Sequence, residues 1–166
     1  MENVHKSKIF QIPPVFDLNQ YCQDNLDNKN EMIEKYKIKK DDFIVGICSR
    51  FDPYKGVGYI IEALSTLTNN HKNIKILFFG AKGIEFERLK KFAKNKLPFN
   101  SYEFINFEKN MIGAYSIMDI FIHVPITSDE EAFGLVYVEA MASAKACIFT
   151  ISGIAEKLIK HNENAL

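Results

Sequence analysis

The stretch "DFIVGICSRFDPYKGVGYIIEALSTLTNNHKNIKILFFG", residues 42–80, contains two apolar segments of strand length on either side of an amphipathic segment. Residues 42–50 and 74–80 each contain a continuous apolar run, rather than an apolar residue at every second position. Residues 56–70 carry their apolar side chains at helical spacing, on one stripe. Continuous apolar strands that alternate with helices are typical of a parallel sheet covered on both faces.

The same alternation continues along the rest of the sequence. It predicts strands over 101–107, 119–124 and 146–152, and helices over 85–96, 109–118, 134–144 and 155–161. We therefore predict an α/β fold with an open, doubly wound, mainly parallel sheet over residues 41–166. Residues 1–40 are more polar and less periodic, and are interpreted as a lead-in with an extended segment at 7–14 and a short helix at 30–38.

Composition excludes several classes of partner. The 166 residues suffice for one domain, and 21 Lys and Arg balance 21 Asp and Glu. Without a basic block, a nucleic-acid groove or a polybasic membrane anchor is not favoured. The cysteines, Cys22, Cys48 and Cys147, form no CxxC pair, and the four histidines have no metal-ligand spacing. We predict reduced thiols in a cytoplasmic protein, and no metal site.

The segment "SRFDPYKG", residues 49–56, follows the first strand and contains Arg50, one of only two arginines. Ligands of doubly wound sheets bind beyond the carboxyl ends of the strands. Arg50 and Lys55 can converge there on one anion, because Arg supplies a planar fork and Lys a point charge. Two solvated surface cations are the alternative interpretation.

Two other features give weaker signals. The segment "GAKGIE", residues 80–85, has two glycines but lacks the G-x-G-x-x-G spacing of a dinucleotide site, so they can simply form a tight turn. His123 is a single histidine in an apolar strand, and we interpret it as a core or rim residue rather than a catalyst.

The segment "EEAFGLVYVEAMASA", residues 130–144, contains two glutamates, Glu131 and Glu139. The polar residues before it predict a loop, so the helix should begin near Phe133 or Gly134. Its first backbone amides, at 134–136, then lack partners and favour an anion. Glu131 would precede the helix as a ligand for sugar hydroxyls, and Glu139 would bind ribose from the second turn. Alternatively, Glu131 is only a partner of the helix dipole and Glu139 only a solvated helix position.

Together, five motifs resemble the donor-binding domain of retaining, nucleotide-sugar-dependent glycosyltransferases of family four, also called group 1. The resemblance spans Phe43 to Leu166 and implies the Rossmann-like half of a GT-B fold. The motifs, in order, are "SRFDPYKGVGYIIEAL" (49–64), "ILFFGAKG" (76–83), "AYSIMDIFIHVP" (114–125), "EAFGLVYVEAMAS" (131–143) and "SGIAE" (152–156). The sequence departs from the family where Ala144 replaces Gly, Ala146 replaces Pro and Ser152 replaces the first Gly of a pair.

The resemblance implies a role for each matching residue. Arg50 and Lys55 would bind the donor pyrophosphate, Glu131 the sugar and Glu139 the ribose. The transfer step itself would involve Glu131 and Lys55, without a metal or cofactor. The full set of implied substrate-binding residues is Arg50, Lys55, Asn106, Phe107, Met111, Glu131, Ala132, Phe133, Gly134, Leu135, Val136 and Glu139, with residues 106, 107 and 111 beside the base.

The resemblance also implies partners. The ligand would be a nucleoside diphosphate sugar, such as a UDP-hexose, and the acceptor a glycan or lipid-linked molecule in polysaccharide biosynthesis. A separate N-terminal acceptor domain in a longer parent protein, truncated here at the C-terminus, would complete the active site, so we expect this chain alone to be inactive. The parent could contact the inner face of the membrane. A GT-B epimerase or phosphorylase domain, or a non-catalytic sugar-nucleotide-binding module, is the alternative.

Overall fold

The computed structural model describes residues 5–8, 10, 12, 14–22 and 26–166. Its strands are β1 (Phe43–Cys48), β2 (Ile74–Phe79), β3 (Tyr102–Ile105), β4 (Ile120–His123) and β5 (Ala146–Phe149). Its helices are α1 (Leu18–Cys22), α2 (Leu26–Lys35), α3 (Val57–Asn70), α4 (Phe86–Lys96), α5 (Met111–Ser116), α6 (Leu135–Ala142) and α7 (Ala155–Leu158), with 3-10 turns at Lys6–Lys8 and Pro53–Lys55.

The five strands form one parallel sheet in the order β3-β2-β1-β4-β5, which confirms the predicted α/β class. The register of β1 and β2 runs from Phe43 opposite Ile74 to Cys48 opposite Phe79. After β3 the chain crosses back and places β4 on the other side of β1. The reversal lies between β1 and β4, so a crevice for a ligand is expected where these two strands end.

Apolar side chains cover both faces of the sheet. On one face, α3 and α4 contribute the stripe predicted from the sequence, including the buried Ile60, Ile61 and Leu64. On the other face, helices α2, α5 and α6 contribute a second cluster that includes Met32 and Tyr137. Burial on both faces is why the strands carry continuous apolar runs rather than alternating apolar and polar residues.

The helix expected at 30–38 begins earlier, at Leu26, and ends at Lys35. Met32 and Tyr36 are buried in the same core as the sheet. Lys35 also lies 2.7 Å from the buried carboxylate of Glu108, which accepts a hydrogen bond from the Tyr36 hydroxyl as well. Residues 26–36 therefore pack as part of the folded unit, and the domain boundary at residue 40 stays a prediction.

Two terminal predictions differ from the structure. The extended segment expected at 7–14 is wrong at its start, where Lys6–Lys8 form a 3-10 turn; residues 9, 11 and 13 lie outside the described residues. The helix expected at 155–161 is a single turn, because the chain then folds back toward β5. There the Leu166 amide donates to the Cys147 carbonyl, and the Phe149 amide donates to the Leu166 carbonyl.

Candidate functional site

The loop after β1 packs against the end of β4. Gly56 adopts a φ of 70°, and a Cβ atom at this position would collide with the carbonyl oxygen of Val124. A residue without a side chain is therefore required where the two segments meet. This close approach places Lys55, the last residue of the 3-10 turn, beside the end of β4 at the switch point.

Glu131 is the centre of a polar cluster at this point. Its Oε1 atom lies 2.5 Å from Lys55 Nζ and 2.9 Å from His123 Nε2. The side chains of Lys55 and Glu131 are 15% and 13% exposed, and that of His123 is 2% exposed. Burial raises the pKa of Glu131, but hydrogen bonds from His123 and Lys55 outweigh it and lower the pKa below its ordinary value. Glu131 is therefore held as an anion.

The loop that follows β5 fixes the backbone around Glu131. The Glu131 amide donates to Ser152 Oγ at 3.1 Å, and the Ile154 amide donates to the Phe133 carbonyl at 2.9 Å. Gly153 has a φ of 56°, and a Cβ there would lie 2.8 Å from the Phe133 carbonyl oxygen. Ser152 departs from the family's glycine, and its hydroxyl supplies the bond to Glu131.

Helix α6 begins at Leu135, with Gly134 as its N-cap at a φ of 83°. Within the described residues, the amides of Leu135 and Val136 make no hydrogen bond. A Cβ on Gly134 would lie 3.6 Å from the Cγ of Glu131, so the helix begins next to that side chain. The two amides and the helix dipole therefore provide an anion-binding position beside Glu131.

Glu139 lies in the second turn of α6 and belongs to a different cluster. Its Oε2 accepts a hydrogen bond of 2.8 Å from the hydroxyl of Tyr115, which is 0% exposed. Burial and the Glu139 carboxylate raise the pKa of Tyr21 to about 12. The Glu139 side chain is therefore held by neighbouring groups, and the alternative interpretation of Glu139 as only a solvated helix residue does not fit the structure.

The remaining predicted residues line the rim of the same edge of the sheet. Arg50 is 62% exposed, with its Nε 3.2 Å from the buried Asp52 carboxylate. Asn106 and Phe107 are exposed beyond β3, and the Phe107 side chain is 74% exposed. Met111 packs at the start of α5.

These rim residues do not touch Glu131. Three strand spacings separate β3 from β4, a distance of roughly 14 Å. A ligand must therefore span the carboxyl edge of the sheet to reach both groups. Ala132 is exposed and Phe133 half-buried in the loop before α6.

Sequence reasoning missed three contributors to the site. His123 contacts Glu131 directly, Ser152 binds the Glu131 backbone, and Tyr115 binds Glu139. The signal for His123 was its position as the last residue of a buried strand, at the edge where ligands bind. The sequence shows Ser152 only as a departure from the family's glycine, and Tyr115 only within a motif. Neither contact was predicted, because the contacts cross 21 and 24 residues of sequence.

The described part of the chain contains neither a cluster of metal-ligating side chains nor a membrane-spanning helix. No three His, Cys, Asp or Glu side chains there group as metal ligands. No helix among the described residues has the length and apolar character needed to cross a membrane. The three cysteines are free thiols, as predicted. Independence from a metal stays a prediction.

A parallel sheet with cations, carboxylates and a helix N-terminus along its carboxyl edge is the arrangement of α/β proteins whose ligand sites suit phosphates and hydroxyl groups. Comparison with known proteins identifies the family. The family model described as "Glycosyl transferases group 1" matches residues 28–166, and the chain belongs to this family. This confirms the family resemblance inferred from the sequence.

Relatives share the fold along most of the chain. The chain is 25% identical over 135 residues to alpha-monoglucosyldiacylglycerol synthase of Acholeplasma laidlawii, covering 80% of this chain and 33% of that protein. A glycosyltransferase structure from Rickettsia africae matches with a TM-score of 0.80 and 25% identity, covering 98% of this chain and 43% of the other. Anabaena HepE, in complex with UDP and glucose, matches with a TM-score of 0.75 and 24% identity, covering 91% and 40%. The chain spans about a third of the length of the curated relatives it matches.

Proposed function

We propose that this chain is the donor-binding part of a retaining glycosyltransferase and binds a nucleoside diphosphate sugar. The observation that carries the proposal is the convergence of Lys55, Glu131 and the free amides of α6 at the switch point. A cation, a carboxylate and a helix N-terminus together match a ligand with both phosphates and hydroxyls.

The phosphates would lie between Lys55, Arg50 and the amides of Leu135 and Val136. Arg50 is exposed enough to turn from Asp52 toward a ligand. During transfer, positive groups at this position would stabilise the leaving diphosphate, whose charge grows as the sugar bond breaks. No divalent ion is part of the proposal.

The two carboxylates would bind the hydroxylated ends of the ligand. Within the described residues, Oε2 of Glu131 accepts no hydrogen bond, because Lys55 and His123 both bind Oε1. The free oxygen can accept from sugar hydroxyls. Glu139 would accept from the ribose, and the exposed ring of Phe107, with Asn106 and Met111, would lie beside the base.

The relatives support the chemistry of the donor. The HepE structure is a complex with UDP and glucose, and the Acholeplasma relative is an alpha-monoglucosyldiacylglycerol synthase. We therefore propose a UDP-hexose as the first donor to test. A glycan or lipid-linked acceptor, an N-terminal acceptor domain and a cytoplasmic location at the inner face of the membrane complete the proposal.

Isothermal titration of the chain with UDP, GDP and ADP tests the donor site. We expect weak binding of at least one nucleoside diphosphate and no transfer of sugar by this chain alone. The absence of binding by all three at millimolar concentration would refute the donor-site proposal.

The chain offers a matched pair of arginine variants for the phosphate role. Arg50→Ala should weaken binding of UDP about tenfold and leave binding of uridine within about twofold, since a charge-assisted bond to phosphate is lost. Arg88→Ala removes the other arginine, which lies on α4 and pairs with Glu85, and should change neither affinity. Equal losses for UDP and uridine in Arg50→Ala would contradict the assignment.

A further inference from the structure

His123 is enclosed at the carboxyl end of β4. Its ring packs edge-on against Tyr137, with 5.0 Å between the ring centroids, and lies near Phe121 at 6.5 Å. Nε2 lies 2.9 Å from Glu131 Oε1, and because an ionised carboxylate only accepts hydrogen bonds, Nε2 is the donor. Nδ1 is buried and has no hydrogen-bond partner within the described residues.

Stability alone does not explain a histidine at this position. A buried polar atom without a partner reduces the free energy of unfolding, whereas an apolar ring could fill similar space without that cost. Residues that break such a rule are expected at functional sites. The feature that distinguishes His123 from an apolar ring is its bond to Glu131.

Lys55 and His123 differ in how firmly they can hold Glu131. Lys55 lies on a loop, and its long stem lets the ammonium group move between Glu131 and a phosphate. If Lys55 binds the donor phosphates, its ammonium group must either bind Glu131 and a phosphate together or break its contact with Glu131. His123 has two side-chain torsions and is enclosed by aromatic rings, so its bond can persist when a ligand is bound.

We propose that His123 is a positioning residue, whose Nε2–H orients the Glu131 carboxylate toward the sugar while Lys55 is free to bind phosphate. The sugar part of this inference rests on the proposed function. The orienting contact itself is a property of the chain without ligand, and can be tested separately.

Nuclear magnetic resonance of the histidine ring tests the contact in the ligand-free chain. We expect His123 to carry its proton on Nε2, and Glu131→Gln to shift that proton's resonance. A proton on Nδ1, or a resonance unaffected by Glu131→Gln, would overturn the proposal. This measurement uses the unaltered histidine, so it does not depend on whether a His123 variant folds.

Two variants and a control test the consequence for ligands. His123→Gln places an amide donor where Nε2 lies, His123→Phe keeps a ring without a donor, and Ile122→Val changes the neighbouring strand residue on the other face. With UDP-glucose and UDP as probes, we expect His123→Phe to weaken UDP-glucose binding about tenfold and UDP binding by less than about twofold. His123→Gln should retain most of the affinity for UDP-glucose, and Ile122→Val should leave both affinities unchanged.

The outcomes separate this inference from the proposed function. Equal weakening of UDP and UDP-glucose by His123→Phe, or a His123→Gln chain no better than His123→Phe, would overturn the positioning role. A wild-type chain that binds neither probe would count against the proposed function and the sugar role together. The ring spectrum would then decide by itself whether His123 orients Glu131.

Discussion

Glu131 and Glu139 are eight residues apart, yet different parts of the molecule hold them. Glu131 lies in a loop, where Lys55 from the loop after β1 and His123 from β4 both donate to its carboxylate. Glu139 lies within α6 and receives the hydroxyl of Tyr115 from α5. Glu131 forms an ion pair with Lys55, whereas Glu139 accepts a hydrogen bond from a neutral hydroxyl group.

The difference shows that one sequence motif contains two kinds of site. Helix α6 itself fixes the height of Glu139 above the sheet, because the residue is in a regular turn. The position of Glu131 depends on three loops that meet at the switch point, with glycines at the closest approaches. Changes in distant loops should therefore affect Glu131 more than Glu139.

The largest effect is expected for Gly153→Ala. Its φ of 56° and the close Phe133 carbonyl oxygen make a side chain costly, so we expect a loss of about 1–3 kcal/mol in the free energy of unfolding. Gly58→Ala is the matched control, because this helical glycine has room for a Cβ, 3.5 Å from Leu89, and alanine should stabilise by about 0.5–1 kcal/mol. Urea unfolding of both variants measures the difference. Equal stability of the two would contradict the tight packing around Glu131.

A second, smaller effect separates the two carboxylates by ligand. Glu131→Gln should weaken UDP-glucose binding about tenfold and leave UDP nearly unchanged, because only the sugar nucleotide reaches it. Glu139→Gln should weaken both ligands by a similar factor, because both contain ribose. Titration calorimetry measures the four affinities. If the loss of UDP-glucose affinity relative to the loss of UDP affinity were the same in both variants, the two carboxylates would not have the separate roles proposed here.

Loss of the Tyr115 hydroxyl should have a milder effect. Tyr115→Phe removes the donor to Glu139 and should lower the free energy of unfolding by about 1 kcal/mol, with a modest loss of UDP affinity. Tyr137→Phe, which removes a bond to the Thr150 carbonyl, is the control: it should cost similar stability without weakening UDP. Unfolding curves and UDP titrations are compared for both. If Tyr137→Phe also weakened UDP binding, the loss in Tyr115→Phe would reflect altered packing rather than the lost hydrogen bond to Glu139.

The smallest effect concerns acid stability. The folded-state pKa of Glu131 is lowered, so the unfolded chain binds a proton more readily than the folded one. The stabilisation is complete above the ordinary carboxyl pKa and is lost as pH falls through the lowered value. Glu131→Gln should therefore lose stability more gradually than wild type below about pH 5, in urea midpoints measured from pH 7 to pH 3. Parallel curves for the two chains would speak against the ion pair.

Local patterns predicted much of the fold and part of the site. The alternating apolar strands and the stripe on α3 indicated a parallel sheet, and the polar run before Gly134 indicated where α6 begins. The predicted length of α7 was too great, because side-chain periodicity does not indicate where a chain folds back. Ser152 and Tyr115 could not be assigned from sequence, because their partners are distant along the chain.

The sequence by itself determined the class of sheet, the edge where a ligand would bind and the order of the motifs, because these follow from local apolar periodicity and turn residues. Only the tertiary structure decided that Lys55 and His123 share one oxygen of Glu131 while Tyr115 binds Glu139. The physical reason is that such contacts depend on how loops from different strands pack. Close approaches at Gly56 and Gly153 set that packing, and the periodicity of any one segment does not report it.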